Sequence, residues 1–359
     1  MFFEQIYSPD RQKYLGHMDA LMKKYFLSRK KCEAKGFISD CSGKVVSSHT
    51  ISKKYLRKIA SKDGHVYCFD NRLFGFEKRN GEVGLIEVGI SDASTYNMFC
   101  RQHDNSIFSP IEDCELTPDE KQCLLLMYRA FMMEKHHKES QFNFWNDMAH
   151  EEIPIFDYGL SKIMLESSRN ALMDSALIND KISVAMKNND VSTLRVLRIY
   201  FRKKPGFLCT GAFFPEYDYK GTCLWGEHSI VPTQDALSIV IVPLSNDKNN
   251  HNGAALLSWL DHPGQNYCQQ FIESMHEIKI SDLSNVLIHT IFEYIENICI
   301  SPSWWDSKEK FIQNTLLRLH AIQKHSPLKH KEITTQYDNW NATEAQLWNG
   351  QNWTPFFFS

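Results

Sequence analysis

At 359 residues the chain is long enough for two or three domains, each with its own core. Its 43% apolar and 23% charged residues are typical of a folded protein, and 12 prolines with 16 glycines are too few for a long disordered region. No apolar run reaches the roughly 18 residues that span a bilayer, so we expect no membrane partner.

The first 21 residues, MFFEQIYSPDRQKYLGHMDAL, lack the cationic stretch followed by an apolar stretch that marks a secretory signal. In a chain without such a signal, ten cysteines indicate reduced thiols in a reducing compartment. We therefore expect a cytoplasmic protein in which some cysteines are metal ligands.

The net charge of −3 hides an uneven distribution of charge along the chain. Residues 11–66 contain 14 lysines and arginines but only 4 acidic residues, so the remainder of the chain is acidic. Such a basic segment suggests an anionic partner, with nucleic acid as the leading candidate. Alternatively, the basic segment neutralises the acidic part of the same molecule, and composition alone does not choose between the two.

In chain order, the first predicted element is a helix that covers residues 1 to about 30, where apolar residues recur near helical spacing. The stretch KVVSSHTI, which follows a Ser-Gly turn signal, favours a strand, and SKKYLRKIASKDG predicts a short helix. HVYCFD and GLIEVGI predict two more strands, with an Asn-Gly turn signal between them. Asp92 and Ser94 are both good helix caps, so we predict that the next helix begins there.

A sharp helix start follows at LTPDEKQC, where Thr117 and Glu120 form a capping box around a proline. We place a domain boundary just before it, which divides the chain into residues 1–114 and 115–359. The second part is helical to about Lys187, then carries β-like runs such as LRVLRIYF and ALSIVIVPL, and then becomes helical again before an aromatic, polar tail. We expect this larger domain to offer a surface for a protein partner or for homo-oligomerisation.

Four residues of the first part form a candidate zinc site. Cys100 and His103 have the spacing that places both side chains on one side of a helix's first turn, and Cys32 with Cys41 could supply the other pair. Three thiolates and an imidazole suit tetrahedral zinc. The pair Cys32 and Cys41 is separated by eight residues, which is wide for a zinc knuckle. Cys68 and His49 are therefore alternative ligands.

This order of motifs resembles the HNH (ββα-metal) nuclease module with a zinc-binding addition. A cysteine pair precedes a strand that ends in Ser-His, and a helix carries C-x-x-[C/H]-x-N, here Cys100-Arg-Gln-His103-Asp104-Asn105. The chain also resembles a group of uncharacterised bacterial proteins with the same motifs. The resemblance covers about residues 30–113 and implies an α+β fold: a zinc-braced ββα unit of the HNH or treble-clef type, followed by a larger domain of helices and antiparallel strands.

The resemblance implies a role for each matching residue. His49, at the end of the first strand, would act as general base, while Asp104 and Asn105 on the helix would hold Mg²⁺ or Mn²⁺. Two departures from the family pattern stand out. Ser48 occupies a position where the family often has an acidic metal ligand, and the asparagine that normally orients the base has only weak counterparts, which are Asp92, Ser94 and Asn97.

Two functions follow as expectations. The first is a metal-dependent endonuclease, by analogy a bacterial anti-phage defence effector, whose basic flank would bind the phosphates of nucleic acid through Lys44, Lys53, Lys54, Arg57 and Lys58. The second is a non-catalytic zinc-finger protein that binds nucleic acid or protein, with its function carried by the C-terminal domain.

Overall fold

The computed structural model describes residues 11–35, 41–70, 72–150, 158–225, 236–245, 249–262, 264, 266–322 and 329–359. Within these residues the α-helices are, in chain order, α1 (Arg11–Met22), α2 (Lys53–Ile59), α3 (Leu73–Lys78), α4 (Arg101–Glu112), α5 (Glu120–His150), α6 (Tyr158–Asn188), α7 (Tyr267–Ser274), α8 (Leu283–Tyr294), α9 (Pro302–Asp306) and α10 (Lys310–Ile322). The strands are β1 (Val45–His49), β2 (His65–Phe69), β3 (Leu85–Gly89), β4 (Thr95–Cys100), β5 (Leu194–Phe201), β6 (Phe207–Phe213), β7 (Leu237–Pro243), β8 (Gly253–Leu260), β9 (Ile298–Ile300), β10 (Ala342–Trp348) and β11 (Trp353–Phe356). The α+β fold class predicted from the sequence is confirmed.

The predicted N-terminal helix is present from residue 11 onward, and residues 1–10 lie outside the described part of the chain. Helix α1 continues into a π-helical turn, Lys23–Leu27, that packs against the end of α5. Leu21, Phe144 and Met148 form a small separate core there, because apolar side chains from both helices are removed from water together.

A small ββα unit lies next in the chain. Strands β1 and β4 pair antiparallel, with Val45 opposite Cys100 and a bulge near Val46, and α4 follows β4 without a loop. The prediction that this helix begins at Asp92 or Ser94 was wrong. Residues 95–100 form a strand because β1 provides a pairing partner, and Ser94 has a φ of 56°, whereas a helix N-cap normally has an extended conformation.

The larger sheet has nine strands among the described residues, in the order β11-β10-β5-β8-β7-β6-β9-β2-β3, and every neighbouring pair is antiparallel. Two parts of it were missed from the sequence. The short strand β9 lies in the region predicted to become helical again, and β10 with β11 forms a hairpin within the predicted polar tail. The tail aromatics Trp340, Trp348 and Phe356 are buried, so they belong to the core.

The hairpin of β2 and β3 crosses the predicted domain boundary. It is inserted between the two strands of the ββα unit, and β2 pairs with β9, with Cys68 opposite Cys299. The nine-stranded sheet therefore contains strands from both sides of residue 114. The division into residues 1–114 and 115–359 stays a prediction about how the chain folds.

Helix α5 connects the ββα unit to the sheet, since it packs against α4 and β4 on one side and against β5 to β8 on the other. Met127, Tyr128 and Phe131 of α5 all lie in the main core. No helix in the described part of the chain is both long enough and apolar enough to cross a membrane.

Candidate metal centre and adjoining pocket

The candidate zinc ligands come together from three places in the chain. Cys32 follows the π-helical turn, Cys41 precedes β1, and Cys100 and His103 lie where β4 meets α4. One ligand atom of each residue lies within 4.8 Å of all the others. The Sγ atoms of Cys41 and Cys100 are 3.9 Å apart, and Sγ of Cys32 is 3.1 Å from Nδ1 of His103.

These distances fit a tetrahedral zinc ion. A Zn–S bond of about 2.3 Å places two sulfur ligands about 3.8 Å apart. Backbone N–H groups already donate to two of the sulfurs, Cys100 N–H to Cys32 Sγ at 3.3 Å and His103 N–H to Cys100 Sγ at 3.5 Å. Cys32, Cys100 and His103 are buried and Cys41 is half-buried, and four protein ligands complete a tetrahedron, so a zinc ion held here would be structural.

The pKa of Cys100 also suits a metal ligand. Burial acts to raise the pKa of this thiol, but hydrogen bonds from Ser42 and from the backbone of His103 outweigh that effect and lower it to about 6. A thiol with such a pKa is largely a thiolate at neutral pH, which is the form that binds zinc.

The rival ligands lie elsewhere. Sγ of Cys68 is 3.8 Å from Sγ of Cys299 in the nine-stranded sheet, and Nε2 of His49 is 3.0 Å from the carbonyl oxygen of Ile90. Within the described chain the cluster thus consists of the four residues expected from the sequence, with Cys32 rather than Cys68 in it.

A buried carboxylate links the zinc cluster to α5. Glu33, next to Cys32, is fully buried, and Lys135 on α5 lies 3.0 Å from it. Arg29 and Lys31 lie 3.5 and 3.6 Å from the same carboxylate. Burial acts to raise the pKa of Glu33, but His136 and these lysines outweigh it and lower the pKa to about 2, so the carboxylate is charged at neutral pH.

A polar pocket of about 350 Å³ lies on another side of α4. Residues from β1, α2, α4 and α5 line it, together with one residue after α4. They are Ser47, His49, Lys53, Asp104, Asn105, Ser109, Glu112, Asp113 and Arg129. All three predicted catalytic residues are therefore in one pocket, and none of the four zinc-cluster residues is among its lining. Successive residues on a helix point about 100° apart, which is why Asp104 and His103 serve different sites.

The geometry of His49 defines its tautomer. Because a carbonyl oxygen only accepts, the 3.0 Å contact with Ile90 places the proton on Nε2, and the neutral ring keeps Nδ1 as an acceptor. Two of the three candidates for an orienting residue have side chains bonded elsewhere, and the third, Asp92, is exposed. Asn97 donates to the carbonyl of Leu27, Ser94 contacts Thr50, and the carbonyl of Asp92 accepts from Thr95. The backbone carbonyl of Ile90 orients this histidine instead. A sequence pattern of side chains does not predict a contact made by a backbone carbonyl.

Asp104 is partly buried at the pocket wall. Burial raises the pKa of its carboxyl group, and the positive charge of Arg129 acts in the opposite direction. The carboxyl group is therefore easier to protonate than that of a free aspartate, and a cation bound beside it would favour its ionised form.

The five predicted nucleic-acid-binding residues fall into two groups. Lys53 donates to Ser91 Oγ at 2.7 Å, Lys54 donates to the carbonyls of Glu112 and Cys114 at 2.6 and 3.0 Å, and Lys58 donates to the hydroxyl of Ser245. Of these three, only Lys53 lines the pocket. The other two, Lys44 and Arg57, are exposed.

Sequence reasoning missed one residue of this site. Arg129 was not considered, although it is the only charged residue in the apolar run LLLMYRAFMM, which is a signal in itself. Its partner in the pocket is Glu112, whose carboxylate contacts Arg129 at 2.6 Å and Ser52 Oγ at 2.5 Å.

Comparisons of the chain with protein-family models, with curated proteins and with solved structures give no significant match. The function is therefore inferred from the geometry of the two sites on α4.

Proposed function

We propose that the chain is a metal-dependent endonuclease that hydrolyses phosphodiester bonds in nucleic acid. The observation that carries the proposal is that His49 and Asp104 line one open polar pocket while the Cys₃His cluster lies apart from it. A purely structural finger has no need of a histidine and a carboxylate facing a common solvent-filled space.

In this proposal His49 is the general base. Its Nδ1 atom takes a proton from the water that attacks phosphorus, and the Ile90 carbonyl holds the ring in the required orientation. The imidazolium that forms stays hydrogen-bonded to that carbonyl through Nε2. Asp104, next to it in the pocket, favours the positive charge that His49 acquires.

Asp104 and Asn105 would hold Mg²⁺ or Mn²⁺ through their oxygen atoms, which are the ligands that both ions prefer. Among the lining residues, the carboxylates of Asp104, Glu112 and Asp113 outnumber the cations Lys53 and Arg129, so the pocket is suited to a divalent cation. When bound, such an ion supplies charge stabilisation for the leaving oxygen.

The second candidate function, a non-catalytic zinc-finger protein that binds nucleic acid or protein, is favoured by one observation. Ser48 is buried at the position where an HNH module often has an acidic ligand, so the pocket lacks that second ligand. The cytoplasmic location, the role in defence, and a partner or second copy bound by the C-terminal part stay predictions from the sequence.

The test is cleavage of plasmid, linear DNA and RNA in Mg²⁺ or Mn²⁺. Removal of a general base lowers a rate by about 10² to 10⁴-fold, so His49→Ala should lose that much activity while its zinc content and melting temperature stay unchanged. Asp104→Asn should lose activity similarly. His150→Ala, at the exposed end of α5, is the matched control and should cleave normally. No cleavage by the natural protein in either metal, or full activity of His49→Ala, would contradict the proposal.

A further inference from the structure

Arg129 is a buried arginine that α5 brings to the pocket from outside the ββα unit. Its side chain is only 4% exposed, yet it lines the pocket together with His49 and Asp104. Its neighbours Tyr128 and Ala130 are buried apolar residues of the core. A guanidinium in such a place must gain interactions that compensate for its lost hydration.

The contacts of Arg129 leave part of that requirement unmet. Its Nη1 donates to Glu112 Oε1 at 2.6 Å, and its guanidinium carbon lies 4.0 Å from the centre of the Phe108 ring. Its Nε is buried and has no hydrogen-bond partner among the described residues. Since an arginine has five N–H donors in a planar fork, this one has donors to spare beside an open polar space.

We propose that Arg129 binds a phosphate group of the nucleic acid in this pocket, and that Glu112 occupies the guanidinium until the phosphate displaces it. This inference depends on the proposed function for the identity of the ligand. A carboxylate and a phosphate present similar pairs of oxygen atoms to a guanidinium, which binds either of them through two parallel hydrogen bonds. Glu112 is thus an internal competitor for the substrate.

Glu112 is built to release Arg129 without losing its own position. Its other carboxylate oxygen accepts from Ser52 Oγ at 2.5 Å, and its backbone carbonyl accepts from Lys54 Nζ at 2.6 Å. These two hydrogen bonds of Glu112 do not involve Arg129, so they remain when Arg129 binds a phosphate group instead. Because Glu112 is 32% exposed, water can solvate its freed oxygen.

The alternative is that the Arg129–Glu112 pair only joins α5 to α4. The two accounts differ for Glu112→Gln. A purely structural pair loses stability on this change and gains no affinity for nucleic acid. An internal competitor releases Arg129, so affinity for nucleic acid increases.

The experiment measures binding of a short fluorescein-labelled DNA duplex by the zinc-loaded full chain, without added divalent cation. We expect Arg129→Gln to weaken binding about 10-fold or more, since a hydrogen bond to a charged group contributes about 1.5–3 kcal/mol. Glu112→Gln should strengthen binding several-fold, and the double variant should bind as weakly as Arg129→Gln alone.

Two controls isolate the arginine. Asp113→Asn removes the same charge from the pocket without freeing Arg129, so its gain should be smaller than that of Glu112→Gln. Arg195→Gln breaks another 2.6 Å ion pair, with Asp261, outside the pocket, and should leave binding unchanged.

The proposal is overturned if the natural protein does not bind the duplex, or if Glu112→Gln binds no better than Asp113→Asn. It is also overturned if a folded Arg129→Gln variant binds normally. If Arg129→Gln does not fold, the affinity of Glu112→Gln relative to Asp113→Asn is the test. Cleavage is measured separately in Mg²⁺. If binding depends on Arg129 but the natural protein cleaves nothing, the nuclease proposal is refuted and the phosphate site is retained. If cleavage depends on His49 but Arg129→Gln binds normally, the phosphate site is refuted and the nuclease proposal is retained.

Discussion

The two sides of α4 carry different kinds of chemistry within one turn of each other. On one side, Cys100 and His103 join two more cysteines in a buried cluster with soft ligands. On the other side, Asp104, Asn105 and Glu112 face an open pocket with oxygen ligands. The difference is one of ligand chemistry, since thiolates and an imidazole suit a structural zinc ion, whereas carboxylate and amide oxygens suit Mg²⁺ or Mn²⁺.

Both sides are also tied to α5 by ion pairs. Near the zinc cluster Glu33 meets Lys135 at 3.0 Å, and at the pocket Glu112 meets Arg129 at 2.6 Å. Glu33 is fully buried, whereas Glu112 is 32% exposed and lines the pocket. The Glu33–Lys135 pair should therefore contribute mainly to the stability of the fold, and the Glu112–Arg129 pair should act mainly on ligand binding.

The largest effect is expected from a change in the zinc cluster. Cys100→Ser removes a thiolate, and because structural zinc contributes on the order of 10 kcal/mol to folding, the ββα unit should lose its zinc and its structure. Zinc content by mass spectrometry and melting by circular dichroism measure the effect. Cys114→Ser, an exposed thiol just after α4, is the matched control and should keep both zinc and stability. Full zinc retention by Cys100→Ser would contradict the assignment of Cys100 as a zinc ligand.

A smaller effect is expected from the buried ion pair. Glu33→Gln leaves the cations around it without their carboxylate and should lower the free energy of unfolding in urea by about 3 kcal/mol. Glu166→Gln, in an exposed pair with Arg169, should change it by less than about 1 kcal/mol. Equal losses of stability in Glu33→Gln and Glu166→Gln would show that burial does not make the Glu33 ion pair more stabilising than an exposed pair.

The smallest effect is expected at the exposed cations outside the pocket. Lys44→Ala and Arg57→Ala should each weaken duplex binding only a few-fold, and each lost phosphate contact should reduce the slope of log affinity against log salt by about 0.9. Lys187→Ala, at the end of α6, removes the same charge from an exposed helix and should leave the slope unchanged. An unchanged slope for Lys44→Ala and Arg57→Ala would remove these residues from the interface.

Short-range spacing predicted the zinc side well. Cys100 and His103 are three residues apart, so their proximity follows from local geometry, and Cys41 lies just before the strand that pairs with β4. The start of α4 was mispredicted because local capping signals at Asp92 and Ser94 favour a helix, whereas pairing with β1, a contact between distant residues, makes the segment a strand.

The pocket side depends on contacts between residues far apart in the sequence. Arg129 reaches Glu112 from a different helix, and the carbonyl of Ile90 bonds His49 from a loop 41 residues away. Neither contact has a local pattern. The pairing of β2 with β9 is equally remote, since it joins residues such as Cys68 and Cys299, which no sequence motif links.

The measurement that tests the central claim most directly is anomalous diffraction from crystals of the zinc-loaded protein soaked in Mn²⁺. The account predicts a zinc peak bound by Cys32, Cys41, Cys100 and His103, and a separate manganese peak beside Asp104 in the pocket, with His49 bound to neither metal. Zinc coordinated by His49, or manganese absent from Asp104 at saturating concentration, would contradict the assignment of separate structural and catalytic sides to α4.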